Sequence, residues 1–196
     1  MLEVVKLTRR QVKYLQSFIL QKILNKPVIS NINYTKSIRC VMKIKWKELI
    51  ISIAISLGVG ALSGFLTRNS MTIYQELVKP PLSPPGWVFP VVWTILYILM
   101  GISAYLIYTS DSKEKDQALL IYALQLIVNF CWSLVFFNQQ NYLLAFAILV
   151  ALWVLIILMI KTFREINPLA AYLQIPYLLW VTFAGYLNLS IYLLNR

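Results

Sequence analysis

The chain has 196 residues, 60% hydrophobic and 13% charged, with 18 Lys/Arg against 7 Asp/Glu and no histidine. Soluble proteins hold roughly 45–50% apolar and about 25% charged residues, so a mean hydropathy of +0.71 leaves more apolar surface than a water-soluble globule can cover. The composition is that of an integral membrane protein, and the missing histidine removes His-ligated haem, His-based metal sites and imidazole general-base chemistry.

Residues 1–45 read as a basic N-terminal extension. Residues 1–47 carry eleven Lys/Arg and a single acid, Glu3, which is +10 of the +11 net charge. Because this charge flanks a membrane span, it points to topology and anionic lipid rather than nucleic acid, and no nucleic-acid module is recognisable. Val12, Leu15, Ile19 and Ile23 fall at helical spacing, so Leu2 to Leu24 suit a basic amphipathic helix on a membrane surface. The scarcity of acids also fits a targeting segment. A third reading starts the protein at Met42, since Met42-Lys-Ile-Lys-Trp-Lys-Glu48 is an ordinary lead-in to a first span. No function is assigned to the extension.

Residues 46–196 fall into five apolar stretches: Ile50 to Leu66, Trp87 to Tyr108, Ala118 to Phe137, Tyr142 to Ile160 and Leu169 to Leu194. Each suits a membrane-crossing helix of roughly 17–25 residues. Alternating strands of an outer-membrane barrel are absent. The fold class expected is an all-α integral membrane protein, a bundle of five transmembrane helices. With the N-terminus inside, fifteen Lys/Arg lie on the inner side and three (Arg68, Lys79, Arg196) on the outer, which predicts an inside N-terminus and an outside C-terminus. Abundant Ile, Lys and Asn fit an AT-rich genome and a bacterial plasma membrane.

Within the first stretch, Gly60-Ala-Leu-Ser-Gly64 is a small-xxx-small pattern that permits close helix approach. Before the second, Lys79-Pro-Pro-Leu-Ser-Pro-Pro-Gly86 holds four prolines in six residues, too many for helix interior. This stiff loop is a candidate lid, with Pro80, Pro84 and Pro85 as its hinge-free frame. In the second stretch Phe89, Trp93, Tyr97 and Gly101 repeat every four residues. In the third, Gln125, Asn129, Trp132, Ser133 and Phe136 share a face. In the fifth, Tyr177, Trp180, Ala184 and Asn188 do so, after an expected kink at Pro176. All seven acids lie outside the stretches or at their edges, which disfavours an ion-coupled pump. Cys40 and Cys131 lie in regions of opposite character and supply neither a disulfide framework nor a CxxC site. Amides and aromatics at these positions can be packing and interhelical hydrogen bonds alone. Together they suit a cavity for a planar, largely apolar ligand carrying a few polar groups.

Tyr74-x-x-Leu77-x-Lys79-Pro80-x-x-x-Pro84-Pro85-x-x-x-Phe89-x-x-x-Trp93-x-x-Leu96-Tyr97-x-x-Met100-Gly101 resembles the signature of the TspO/MBR family. These are the tryptophan-rich sensory proteins, related to the mitochondrial translocator protein or peripheral-type benzodiazepine receptor. Gln125-Leu126-x-x-Asn129-x-x-Trp132-Ser133-x-x-Phe136-Phe137 and Pro176-Tyr177-x-x-Trp180-x-x-Phe183-Ala184-x-x-Leu187-Asn188 resemble its third- and fifth-helix motifs. The resemblance covers about residues 46–195 and departs at Tyr74, where many members carry Trp.

What the resemblance implies is a homodimer of five-helix bundles that binds porphyrins such as protoporphyrin IX, with sterols and isoquinoline carboxamide-type molecules as further ligands. It places Trp93 and Trp180 in the ligand cavity with Phe89, Asn129, Trp132 and Ala184, under the proline-rich loop. The helical faces add Tyr97, Gln125, Phe136, Tyr177 and Asn188 as ligand-binding candidates. In some bacterial members the two tryptophans are linked to light-dependent porphyrin breakdown, which would make Trp93 and Trp180 catalytic. No cofactor is required, porphyrin being the ligand, and no metal site is expected. The sterol pattern occurs only as Leu189-x-x-Tyr192-x-x-x-Arg196, a loose consensus that many helices match by chance. The function expected is a porphyrin receptor or sensor, aiding transport or breakdown of its ligand. The alternatives are a passive carrier of small hydrophobic solutes and a structural membrane partner protein.

Overall fold

A computed structural model describes residues 44–70 and 76–196. The extension readings for residues 1–43, Cys40 and the family position at Tyr74 lie outside the described residues. The described chain is helical, and five segments are long and apolar enough to cross a membrane. The protein is a multi-pass integral membrane protein.

The first span, α1, runs Trp46–Thr67 and continues as a 3-10 turn, Arg68–Ser70. Its apolar residues face outward: Ile50, Ile55, Leu62 and Phe65 are exposed, while its buried residues are Ser56, Ser63 and Thr67. This is the reverse of a soluble amphipathic helix. Lipid accepts the apolar side, and the hydroxyls turn inward to find partners. Ser52 Oγ donates to the Gly101 carbonyl at 2.8 Å, and Ser56 Oγ lies 2.6 Å from the Tyr122 hydroxyl.

The second span, α2, covers Val88–Tyr108 and runs antiparallel to α1. The two helices touch where side chains are smallest. At Gly101 a Cβ would come within 2.6 Å of Ile53 Cα, and at Gly60 a Cβ would collide with the Tyr97 ring. Gly64, by contrast, faces open space. The small-xxx-small pattern therefore divides: Gly60 makes the close approach, and a Cβ at Gly64 would meet no neighbour.

The third span is α3, Lys115–Ser133, extended by a π-helical turn over Leu134–Asn138. A left-handed residue, Gln140 (φ 54°), turns the chain, and Asn141 caps α4 by accepting from the Leu144 N–H. Helix α4 runs Tyr142–Ile166, past the apolar stretch and through Lys161, Arg164 and Glu165. Ala145, Leu149, Leu152, Ile156, Met159 and Phe163 are its buried face, alternating four and three apart as a packing seam does.

The fifth span is broken. A short helix, α5, Pro168–Tyr172, is capped by Asn167. After a turn at residues 173 and 174, α6 runs Ile175–Leu194. The expected kink at Pro176 is replaced by this break. Pro176 sits in the first turn of α6, where a missing N–H leaves no hydrogen bond unmade, so the proline begins the helix instead of bending it. Ser103 Oγ on α2 donates to the Ala170 carbonyl at 2.7 Å and holds α5 in place.

Candidate ligand cavity

Above the contact between Gly60 and Tyr97, α1 and α2 separate and leave a cavity of about 620 Å³. This lies within the roughly 300–1,000 Å³ common for small-molecule sites. Gly60, Ala61 and Gly64 of α1 form one wall, and Phe89, Trp93 and Tyr97 of α2 another. Trp132 and the π turn supply the third, and Ala184, Leu187 and Asn188 of α6 the fourth.

The π turn matters to that wall. The Gln139 N–H reaches back five residues to the Leu134 carbonyl at 3.2 Å, which widens the helix. Adjacent residues Phe136 and Phe137 both line the cavity as a result, their rings 4.9 Å apart and near perpendicular.

Trp93 is the centre of the aromatic cluster. Its ring lies 5.6 Å from Tyr97, 6.3 Å from Trp132 and 6.1 Å from Tyr177, so it touches α2, α3 and α6 together. Neither the Trp93 indole N–H nor the Tyr97 hydroxyl has a hydrogen-bond partner among the described residues, although both side chains line the cavity. They are polar handles on a largely apolar surface. The cavity is open on one flank, where Ala61 and Gly64 of α1 and Pro90 and Thr94 of α2 are exposed.

Seven of the eleven ligand-binding candidates line this cavity: Phe89, Trp93, Tyr97, Trp132, Phe136, Ala184 and Asn188. Asn188 also holds the frame, accepting from the Trp132 indole N–H at 3.2 Å and donating to the Tyr142 carbonyl at 2.8 Å. Gln125, Asn129 and Tyr177 sit behind the wall as a buried chain. Asn129 Nδ2 donates to the Tyr177 hydroxyl (3.0 Å), which donates to Gln125 Oε1 (2.9 Å). Trp180 packs edge-on against Phe89, ring centroids 6.0 Å apart, and so backs a cavity residue.

The proline-rich loop reaches the cavity through Gly86. Pro80 is buried, Pro84 half-buried and Pro85 exposed, and the Ser83 and Val88 N–H groups close turns on the Pro80 and Pro85 carbonyls. The loop is tied down by a residue that motif reading passed over. The Asn195 side-chain amide accepts from the Val78 N–H and donates to the Val78 carbonyl, each at 3.0 Å, as a neighbouring strand would. Asn138 does the same service for α1, donating to the Leu66 carbonyl and accepting from Ser70 Oγ. Arg68 and Phe137 line the cavity and were also missed as site residues. Phe137 belongs to the third-helix motif, whereas Arg68 stands out in the sequence only as one of three outer-side charges. Among the described residues no group of three His, Cys, Asp or Glu could hold a metal ion.

A family model described as the TspO/MBR family matches residues 52–194. The chain is 41% identical over 150 residues to the tryptophan-rich protein TspO of Chlorobaculum tepidum, covering 75% of this chain and 95% of that protein. It is 37% identical over 149 residues to the tryptophan-rich protein TspO of Archaeoglobus fulgidus, covering 76% and 97%. It is also 37% identical over 118 residues to the translocator protein of Ovis aries, covering 59% and 70%.

Proposed function

The chain belongs to the TspO/MBR family, and from that premise we propose that it binds a porphyrin-like tetrapyrrole in the cavity between α1, α2, α3 and α6. The observation that carries this reading is the wall itself, a largely apolar slot with Trp93 touching rings on three helices. A flat conjugated macrocycle gains offset and edge contacts from such rings. The unpaired Trp93 N–H and Tyr97 O–H can meet its polar atoms without leaving a protein group unsatisfied. The absence of histidine from the whole chain favours a metal-free ring held by stacking over an axially ligated haem.

A passive carrier of generic hydrophobic solutes would not need a cluster of this kind. We read the site as a receptor cavity in a plasma-membrane protein with its N-terminus inside. The test is a titration in the dark of detergent-purified protein with protoporphyrin IX, reading tryptophan quenching, beside Trp93→Phe and Trp180→Phe. Saturable quenching at micromolar or lower ligand, weakened about tenfold in Trp93→Phe and less in Trp180→Phe, supports the cavity. Unsaturable quenching equal in all three proteins would mean partition into the micelle and would overturn the reading. Repeating the saturable case under illumination, with porphyrin absorbance as the readout, separates a receptor from a site of breakdown.

A further inference from the structure

Of the residues lining the cavity, Arg68 alone is charged. It begins the 3-10 turn that follows α1, and its guanidinium lies 4.2 Å over the Phe65 ring. Among the described residues no carboxylate pairs with it. An arginine at a helix C-terminus favours the helix dipole, and one near a span's end can reach the interface. Neither role calls for a place on the cavity wall.

The cavity has a direction. Because α1 and α2 are antiparallel, Gly60 and Tyr97 lie toward one end of the cavity, and Arg68 and Gly86 toward the other. Aromatic rings line the cavity between these ends, and one cation stands at the Arg68–Gly86 end with no acid on the wall. A ligand matching this pattern has a flat apolar body and an anionic edge. Guanidinium suits a carboxylate because its planar fork donates two parallel hydrogen bonds. The Phe65 ring, 4.2 Å from the guanidinium carbon, supports the side chain from one face.

We propose that Arg68 pairs with a peripheral carboxylate of the bound tetrapyrrole, so that the cavity selects carboxylated porphyrins over their neutral esters. This rests on the tetrapyrrole reading above and names the chemical class within it.

The experiment compares protoporphyrin IX with its dimethyl ester, in the dark and in non-ionic detergent, with protein-free micelles subtracted. The proteins are the full chain, Arg68→Ala and Arg68→Lys. The full chain is expected to bind the acid about two- to fivefold more tightly than the ester, the range for one partly screened ion pair. In Arg68→Ala the acid should bind no better than the ester, and Arg68→Lys should keep part of the preference. Raising salt from about 50 mM to about 500 mM should shrink the preference in the full chain and leave Arg68→Ala unmoved. Equal affinity for acid and ester in the full chain would overturn the proposal and leave Arg68 as a charge at the helix end. Equal weakening of both ligands in Arg68→Ala would overturn it too, as a structural effect. Either result leaves tetrapyrrole binding standing. If neither porphyrin saturates any of the proteins, the tetrapyrrole reading falls and takes this inference with it.

Discussion

The Tyr177 hydroxyl joins two helices, accepting from Asn129 and donating to Gln125 with the whole side chain buried. Tyr177→Phe keeps the ring against Trp93 but strands a buried amide donor and a buried amide acceptor. The expected cost is about 1–2 kcal/mol, read as a lowered thermal unfolding midpoint in detergent. An unchanged midpoint would mean the two amides repair each other. The helical spacing in the sequence put Gln125, Asn129, Trp132, Ser133 and Phe136 on one face, and all five are buried. What spacing could not say is which of them meets the cavity and which ties α3 to α6, because a face has no partner until its neighbour is placed. Asn138, Asn195 and Arg68 were harder still. Asn195 meets Val78 across 117 residues of chain, and no local pattern marks such a pair.

At the scale of elements, the α1–α2 crossing decides whether the cavity exists. Gly60 and Gly64 look alike in the sequence, but only Gly60 has Tyr97 against it. Gly60→Leu should force the helices apart and destabilise the protein by about 1–3 kcal/mol, as overpacking does. Gly64→Leu should leave thermal stability near that of the parent while filling the cavity and abolishing porphyrin quenching. Unfolding midpoints and titrations on the pair check this, and similar behaviour of the two variants would refute the division. The five spans were legible because lipid tolerates only long, nearly uncharged runs. The break before α6 and the π turn were not. Both depend on where backbone groups find partners rather than on hydropathy, and Pro176 suits a helix start as well as a kink.

For the molecule as a whole, the charge asymmetry makes a separate prediction. In a background with Cys40 and Cys131 replaced by Ser, Gln140→Cys should react with a membrane-impermeant maleimide on intact cells. Ser112→Cys should react only after lysis, and the opposite pattern would reverse the assigned orientation. The family was legible because motifs on three helices resemble its signature, and the family model matches residues 52–194, which contain all but the start of the bundle. The open flank between α1 and α2, where Ala61, Gly64, Pro90 and Thr94 are exposed, also bears on how occupancy should be counted. Those residues lie within two spans, so a molecule passing between them leaves hydrocarbon rather than water. Its reservoir is then the bilayer, and the governing concentration is a mole fraction in lipid. Half-saturation expressed per litre of buffer should rise in proportion as lipid is added at fixed protein, while the mole fraction at half-saturation stays constant. A cell could therefore empty or fill this cavity by changing its membrane area, with no change in the protein.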